Sequence, residues 1–166
     1  MHRRAALALP AALALPTMLA GCGFELRQPQ ALPMRSIALV GFAPASPLAA
    51  ALKLELERAG VALRDKPGDA EVVFDTLSDG RERSVAASTA AGQVREVTLR
   101  VRLRFRVATP AGKLLLPASD LLLTRDMSFN ETAALAKQQE ELLLYRAMAD
   151  DIVAQVLRHL ASVRLG

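Results

Sequence analysis

Residues 94–107 read Val-Arg-Glu-Val-Thr-Leu-Arg-Val-Arg-Leu-Arg-Phe-Arg-Val, and their alternation decides the fold class. Successive side chains of a strand point to opposite faces, so a period of two predicts a β-strand with one buried and one polar face. The apolar face carries Val97, Leu99, Val101, Leu103, Phe105 and Val107. The polar face carries Glu96, Thr98, Arg100, Arg102, Arg104 and Arg106. We therefore expect a sheet at the centre of the domain.

The chain before this strand predicts a strand, a helix and a second strand. Ser36–Val40 is a short apolar run closed by a glycine, which is typical of a strand. Ser46 can cap a helix that begins at the following proline and ends at Gly60. Residues 71–77 have the β-branched and aromatic content of another strand. Residues 78–93 are polar and small, so we expect a long flexible hairpin connection there.

The chain after the alternating strand predicts one more strand and a long helix. Residues 114–128 supply a partner strand that Pro117 divides into two pieces. From residue 135 to residue 163, apolar side chains recur at intervals of three and four with no proline or glycine, which predicts a helix. The order β-α-β-β-β-α is typical of an α+β fold. We expect a two-layer sandwich with two helices packed on one face of a mixed four-stranded sheet.

The first 21 residues predict a bacterial lipoprotein signal peptide. Two arginines precede an apolar run that prolines interrupt and that is too short to span a membrane. Leu19-Ala20-Gly21-Cys22 resembles a lipobox, so we expect Cys22 to begin the mature chain with an S-diacylglycerol and an N-acyl chain such as palmitate. The alternative is an ordinary secretory signal followed by a free cysteine. The predicted domains are a signal peptide at residues 1–21, a lipidated tether at 22–35 and a single domain at 36–166.

Composition argues against nucleic-acid binding and against catalysis. Without Arg3 and Arg4, 19 basic residues face 17 acidic ones, which lowers the net charge from +4 to +2. The only cysteine is expected to carry lipid, and the only mature histidine, His159, lies on the predicted terminal helix. These residues cannot supply a Cys/His nucleophile pair or a zinc site with several cysteines or histidines. We expect no enzyme, no metal and no cofactor other than the lipid on Cys22.

The four arginines of the polar strand face, Arg100, Arg102, Arg104 and Arg106, are named the arginine ladder here. Residues two apart on a strand lie about 6.6 Å apart, so four guanidinium groups can form a row about 20 Å long. Arginine suits phosphate because its planar group donates two parallel hydrogen bonds. The alternative is a solvated face on which Asp75, Glu71 or Asp126 neutralises the arginines across the strands.

Two further segments carry a resemblance to a known family. Gly21-Cys22-Gly23-Phe24-Glu25-Leu26-Arg27 is similar to the Gly-Cys-Gly-aromatic-x-Leu-Arg start of the LptE (RlpB) lipoproteins, which assemble lipopolysaccharide (LPS) in Gram-negative outer membranes. Ala134-Leu135-Ala136-Lys137-Gln138-Gln139-Glu140-Glu141 resembles the Ala-Leu-Ala-Lys-x-x-Glu segment of that family, and a long terminal helix follows in both.

The resemblance implies an outer-membrane lipoprotein that is not an enzyme. Such a protein plugs the lumen of the LptD β-barrel translocon from the periplasmic side, aids the assembly of the barrel and binds LPS during transport to the outer leaflet. The implied partners are LptD, LPS and, through the lipid anchor, the outer membrane. The alternative is a periplasmic lipoprotein accessory subunit of an ABC-type transport system.

The resemblance also implies LPS-binding residues. The basic position of the Ala-Leu-Ala-Lys segment falls on Lys137. A second basic position of the family precedes a Gly-Gln pair, but the residues before Gly92 and Gln93 are uncharged in this chain. Arg95 or the arginine ladder can supply that charge instead, which is a hypothesis.

Overall fold

The computed structural model describes residues 31–165. The predicted signal peptide and the predicted lipidation site at Cys22 lie outside these residues. The strands are β1 Ser36–Val40, β2 Ala62–Arg64, β3 Val72–Ser88, β4 Val94–Ala108 and β5 Leu114–Ser128. The helices are α1 Pro47–Arg58 and α2 Ala134–Ala161, with short 3-10 turns at Pro67–Asp69 and Glu131–Ala133.

One mixed sheet has the strand order β2-β1-β3-β4-β5, and both helices pack on one of its faces. β1 pairs parallel with β2 and β3, whereas β3, β4 and β5 form an antiparallel meander. The predicted α+β two-layer sandwich is confirmed. The sheet has five strands instead of four, because the three residues of β2 pair with β1 although the segment is too short to show a pattern of its own.

The prediction of a flexible connection over residues 78–93 is wrong for most of its length. β3 continues to Ser88, and only residues 89–93 turn, with Thr89 N donating to Gln93 O at 2.8 Å. β4 pairs with this segment from Ser78 to Ser88 and provides its backbone hydrogen bonds, which outweigh the low strand propensity of its small and polar side chains. β5 likewise stays one strand, and a register shift accommodates Pro117.

Both predicted helices are confirmed by their ends and their buried faces. Ser46 Oγ accepts a hydrogen bond from Ala49 N at 3.1 Å, which caps α1. α1 buries three leucines against the sheet: Leu48, Leu52 and Leu56. α2 buries residues at helical spacing: Tyr145, Met148, Ala149, Ile152, Val153, Val156 and Leu160. The alternating apolar residues of β4 close this core from the other layer.

The sheet has two ends that differ in how many elements they contain. The basal end holds the start of β1, β3 and β5 and the C-terminus of α2; the distal end holds the β3–β4 turn and the N-terminus of α2. β1 ends at Val40, opposite Asp75, so among residues 31–165 the distal half of the sheet contains only β3, β4 and β5. The predicted tether also contributes to the base, since Met34 is 3% exposed and Arg35 N donates to Glu71 Oε2 at 2.7 Å.

Candidate functional site

The arginine ladder lies on the sheet face opposite the helices and is largely paired with carboxylates. Arg102 donates two hydrogen bonds to Asp120, at 3.0 and 2.5 Å. Arg106 Nε donates to Asp75 at 2.7 Å, and Arg100 lies 3.5 Å from Glu82. Arg104 has no ion pair within residues 31–165. Three of the four guanidinium groups therefore already hold an anionic partner.

The carboxylates of this face offset the ladder. They are Asp75 and Glu82 on β3, Glu96 on β4, and Asp120 and Asp126 on β5. The hydrogen bonds from Arg102 hold the pKa of Asp120 below its ordinary value, and its carboxylate raises the pKa of Arg102 in return. Five carboxylates thus face four arginines across β3, β4 and β5, and this surface has little excess positive charge for an external phosphate.

The alternative interpretation of the ladder was that carboxylates on neighbouring strands neutralise it. It named one of the three carboxylates that form these ion pairs. Asp75 pairs with a ladder arginine, whereas Asp126 accepts from Thr98 Oγ1 at 2.6 Å and Glu71 accepts from the backbone of Arg35. Sequence reasoning missed Glu82 and Asp120. Glu82 lies on the part of β3 that looked like a loop, and the position of Asp120 depends on the register of β5 around Pro117.

Lys137 and Arg95, the other predicted basic residues, lie together at the distal end. Lys137 Nζ donates to Ser128 Oγ at 3.1 Å and pairs with Glu140 at 2.8 Å. Phe129, which follows Ser128 in the chain, donates its backbone N–H to the carbonyl oxygen of Arg95 at 2.8 Å. Arg95 lies at a register shift between β3 and β4, where Ala87 pairs with Glu96 and Ser88 pairs with Val94, and its side chain is exposed. The backbone at Arg95 therefore lies next to the Ser128–Phe129 segment, which Lys137 contacts.

Two arginines of distal β3 join this surface. Arg81 lies over the Tyr145 ring, with Cζ 5.1 Å from the ring centroid. Arg83 lies 5.4 Å from the Phe129 ring and pairs with Glu141 at 3.2 Å. In register, Arg81 and Arg83 oppose buried residues of β4, so both project to the helix side. We name Arg81, Arg83, Arg95 and Lys137 the distal cation cluster. Arg81 and Arg83 were not predicted from the sequence, because the polar residues of distal β3 show no strand pattern.

Tyr145 anchors α2 to the cluster. Its hydroxyl donates to the backbone carbonyl oxygen of Glu82 at 2.9 Å. Burial raises the pKa of Tyr145 above its ordinary value, and the Glu141 carboxylate acts in the same direction, whereas Arg81 and Arg83 oppose it. The hydrogen bond and the ring contact hold the helix beside β3, and they fix the positions of the arginines relative to Lys137.

The other features of the described chain do not form a metal site or a membrane-spanning helix, and its one histidine packs against an aromatic ring. His159 packs edge-on against Phe105, with ring centroids 5.9 Å apart. Among residues 31–165, no three His, Cys, Asp or Glu side chains are grouped as a metal site requires. Over the same range, neither helix combines the length and the apolar character needed to cross a membrane.

A family model described as LptE, Lipopolysaccharide-assembly, matches residues 34–160, which is nearly the whole described domain. The chain belongs to the LptE family. This assignment confirms the family resemblance, and the matched range includes the Ala-Leu-Ala-Lys segment but not residues 21–27. The protein is therefore a member of a family of LPS-assembly lipoproteins.

Solved structures of lipoproteins share this LptE fold. An uncharacterized lipoprotein B from Nitrosomonas europaea is 28% identical, with a TM-score of 0.70 over 84% of this chain and 91% of that one. The rare lipoprotein B from Shewanella oneidensis is 27% identical, with a TM-score of 0.63 over 76% of this chain and 94% of that one. A minor lipoprotein from Acinetobacter baumannii has the same fold at 24% identity, with a TM-score of 0.64 over 79% and 93% of the two chains.

Proposed function

We propose that this LptE family member is an outer-membrane lipoprotein, anchored through Cys22 on the periplasmic side, that plugs the lumen of the LptD barrel. In this role it aids the assembly of the barrel and binds LPS on its way to the outer leaflet. It acts by binding and not by catalysis, and the lipid on Cys22 is its only attached group.

The distal cation cluster is the observation that carries the proposal of LPS binding. Clustered guanidinium and ammonium groups recognise phosphate through charge-assisted hydrogen bonds. Within residues 31–165, Arg81 and Arg95 form no ion pair, whereas Arg83 pairs with Glu141 and Lys137 pairs with Glu140. The lipid A and core phosphates of LPS match a surface with two unpaired cations better than they match the ladder, in which Arg104 alone is unpaired within residues 31–165.

The arginine ladder has a different proposed use. Its ion pairs with Asp75, Glu82 and Asp120 present a surface of mixed charge that suits contact with polar residues of a barrel wall. A permanent contact of this kind buries more than about 2,000 Å² in total. The direct binding of LPS phosphate by Arg100, Arg102, Arg104 and Arg106 stays a prediction, and their internal pairing weakens it.

Substitutions in the two basic surfaces test the assignment of LPS binding. A charge-assisted hydrogen bond contributes about 1.5–3 kcal/mol, so Lys137→Ala combined with Arg95→Ala should weaken LPS binding at least about tenfold. The weakening should shrink as salt is raised, because salt screens exposed charge. Arg102→Ala combined with Arg106→Ala is the matched control, since it removes two exposed guanidinium groups from the opposite face. Equal losses in both variants would refute the assignment to the distal cluster.

Affinity purification of the full-length lipoprotein from outer membranes tests the role as a plug. The proposal expects a barrel protein in equal amount to the lipoprotein, at a salt concentration that removes loosely bound proteins. Recovery of an inner-membrane ATPase complex in its place would favour an accessory subunit of an ABC-type transporter. LPS binding and barrel recovery are to be measured separately for each variant, because the ladder and the cluster are assigned to different contacts.

A further inference from the structure

Three large apolar side chains lie exposed next to the distal cation cluster. Leu135 is 81% exposed, Leu142 is 56% exposed and Val85 is 53% exposed. Leu135 and Leu142 are seven residues apart, so they share one flank of α2. Val85 opposes the buried Val97 and therefore lies on the helix side of β3. We name Leu135, Leu142 and Val85 the distal apolar strip.

The strip is exposed because α2 extends beyond α1. α2 has 28 residues and α1 has 12, which correspond to about 42 Å and 18 Å of helix. Ala149, seven residues after Leu142, lies on the same flank and is buried in the half of the molecule where α1 packs beside α2. Further toward the distal end no element covers this flank among residues 31–165. The helix thus continues an apolar packing face past the end of its partner.

Contacts between α2 and β3 place the strip alongside the basic residues. Tyr145 bonds to the Glu82 carbonyl and Glu141 pairs with Arg83, so α2 runs beside distal β3. From the Arg83–Glu141 pair, the distal end lies toward the N-terminus of α2 and toward the C-terminus of β3. One helical turn from Glu141 in that direction reaches the level of Val85, which lies two residues after Arg83. Arg146 follows Leu142 by four residues and lies exposed on the same flank. Cations therefore border the strip, with Arg81 and Arg83 on one side and Arg146 on the helix.

We propose that the distal apolar strip binds an acyl chain of the anionic amphiphile whose phosphates the distal cation cluster binds. This inference rests on the proposed function and specifies which part of LPS meets which residues. Apolar surface next to Arg81 and Arg146, which form no ion pair within residues 31–165, complements a molecule that carries phosphate and hydrocarbon together. A polar barrel wall would match only the cations, and an apolar protein surface would match only the leucines. An acyl chain attached to a phosphorylated headgroup matches the apolar side chains and the cations at once.

Site-specific photo-crosslinking with the full-length lipoprotein in intact cells tests this contact. A photoreactive residue at Leu142 should form an adduct that LPS antibodies detect. The same residue at Leu54, which is 48% exposed on α1, is the matched control and should give at least tenfold less adduct. A third position, Ala90 in the β3–β4 turn, reports on the cation cluster. An LPS adduct from Ala90 with only a protein adduct from Leu142 overturns the acyl contact and leaves the proposed function in place.

A second measurement separates the acyl contact from phosphate binding. Leu135→Gln combined with Leu142→Gln keeps two good helix formers at exposed positions, so the fold should be retained. LPS affinity should fall about tenfold or more, because burial of a leucine side chain contributes on that order. Binding of deacylated, phosphorylated core oligosaccharide should not change. Unchanged LPS affinity in this variant overturns the inference. Unchanged LPS affinity in Lys137→Ala with Arg95→Ala overturns instead the proposed binding of LPS phosphate by the distal cation cluster.

Discussion

Replacement of Gly41 by alanine is expected to destabilise the domain far more than the same change at Gly112. Both glycines have a positive φ, +79° at Gly41 and +86° at Gly112. An L-residue in this region costs about 1–2 kcal/mol, because its Cβ approaches the neighbouring backbone. This cost is common to both substitutions. Any larger effect at Gly41 must come from the atoms around it.

The surroundings of the two glycines differ sharply. A Cβ at Gly41 would overlap the backbone carbonyl oxygen of Thr76 and lie 3.2 Å from its carbon, whereas a Cβ at Gly112 meets nothing within 4 Å. The obstacle is backbone, so no side-chain rotation relieves it. β1 would have to move away from β3 near the Val40–Asp75 pair and near the stacked rings of Phe42 and Phe74, 5.9 Å apart. Overpacking of this kind adds about 1–3 kcal/mol.

Urea unfolding of residues 31–166, followed by circular dichroism, measures both variants. We expect Gly41→Ala to lower the free energy of unfolding by about 2–5 kcal/mol. For Gly112→Ala the expected loss is about 1–2 kcal/mol. Equal losses would refute the reasoning, since the close approach of β1 to Thr76 would then carry no cost. A change in the slope of the unfolding curve would point to the denatured state instead.

Two further predictions concern α2. Ile152 is fully buried between the layers, so Ile152→Ala should cost about 2–5 kcal/mol of stability, measured by urea unfolding against the exposed control Leu143→Ala. The phenol of Tyr145, the only tyrosine, should ionise above its ordinary pKa of 10.0 in a spectrophotometric titration, because burial disfavours the phenolate. The phenol therefore keeps its proton to a higher pH in the folded state than in the unfolded chain, so the free energy of unfolding decreases as the pH rises above 10. Tyr145→Phe should abolish that part of the decrease.

The elements that the sequence predicts correctly are those whose pattern repeats along the chain. The alternation of β4 and the helical spacing of α2 each extend over many residues, and the cap at Ser46 marks the start of α1. β2 has three residues and owes its conformation to pairing with β1. Distal β3 is polar on both faces, so its strand conformation depends on hydrogen bonds to β4 that no local pattern announces.

The candidate site was predictable to a similar extent. Lys137 and Arg95 were found from the resemblance and from their charge, and the structure places them at one end. Arg81 and Arg83 were missed because they lie on the segment interpreted as a loop. The pairing of the ladder depended on register: Asp120 stands opposite Arg104 but bonds to Arg102, a diagonal contact that sequence separation does not reveal.

The early end of β1 divides the molecule into parts of unequal protection against local opening. At the base, five strands and two helices enclose the core, whereas in the described part of the chain three strands beyond Asp75 are covered by α2 alone. Opening of that part breaks fewer apolar contacts than global unfolding does, so its backbone amides should exchange hydrogen faster than those of the base. The distal residues that meet a ligand or partner can thus adjust locally while the base keeps the fold. An element that covers them on binding would slow this exchange, which links occupancy of the distal end to the stability of the whole domain.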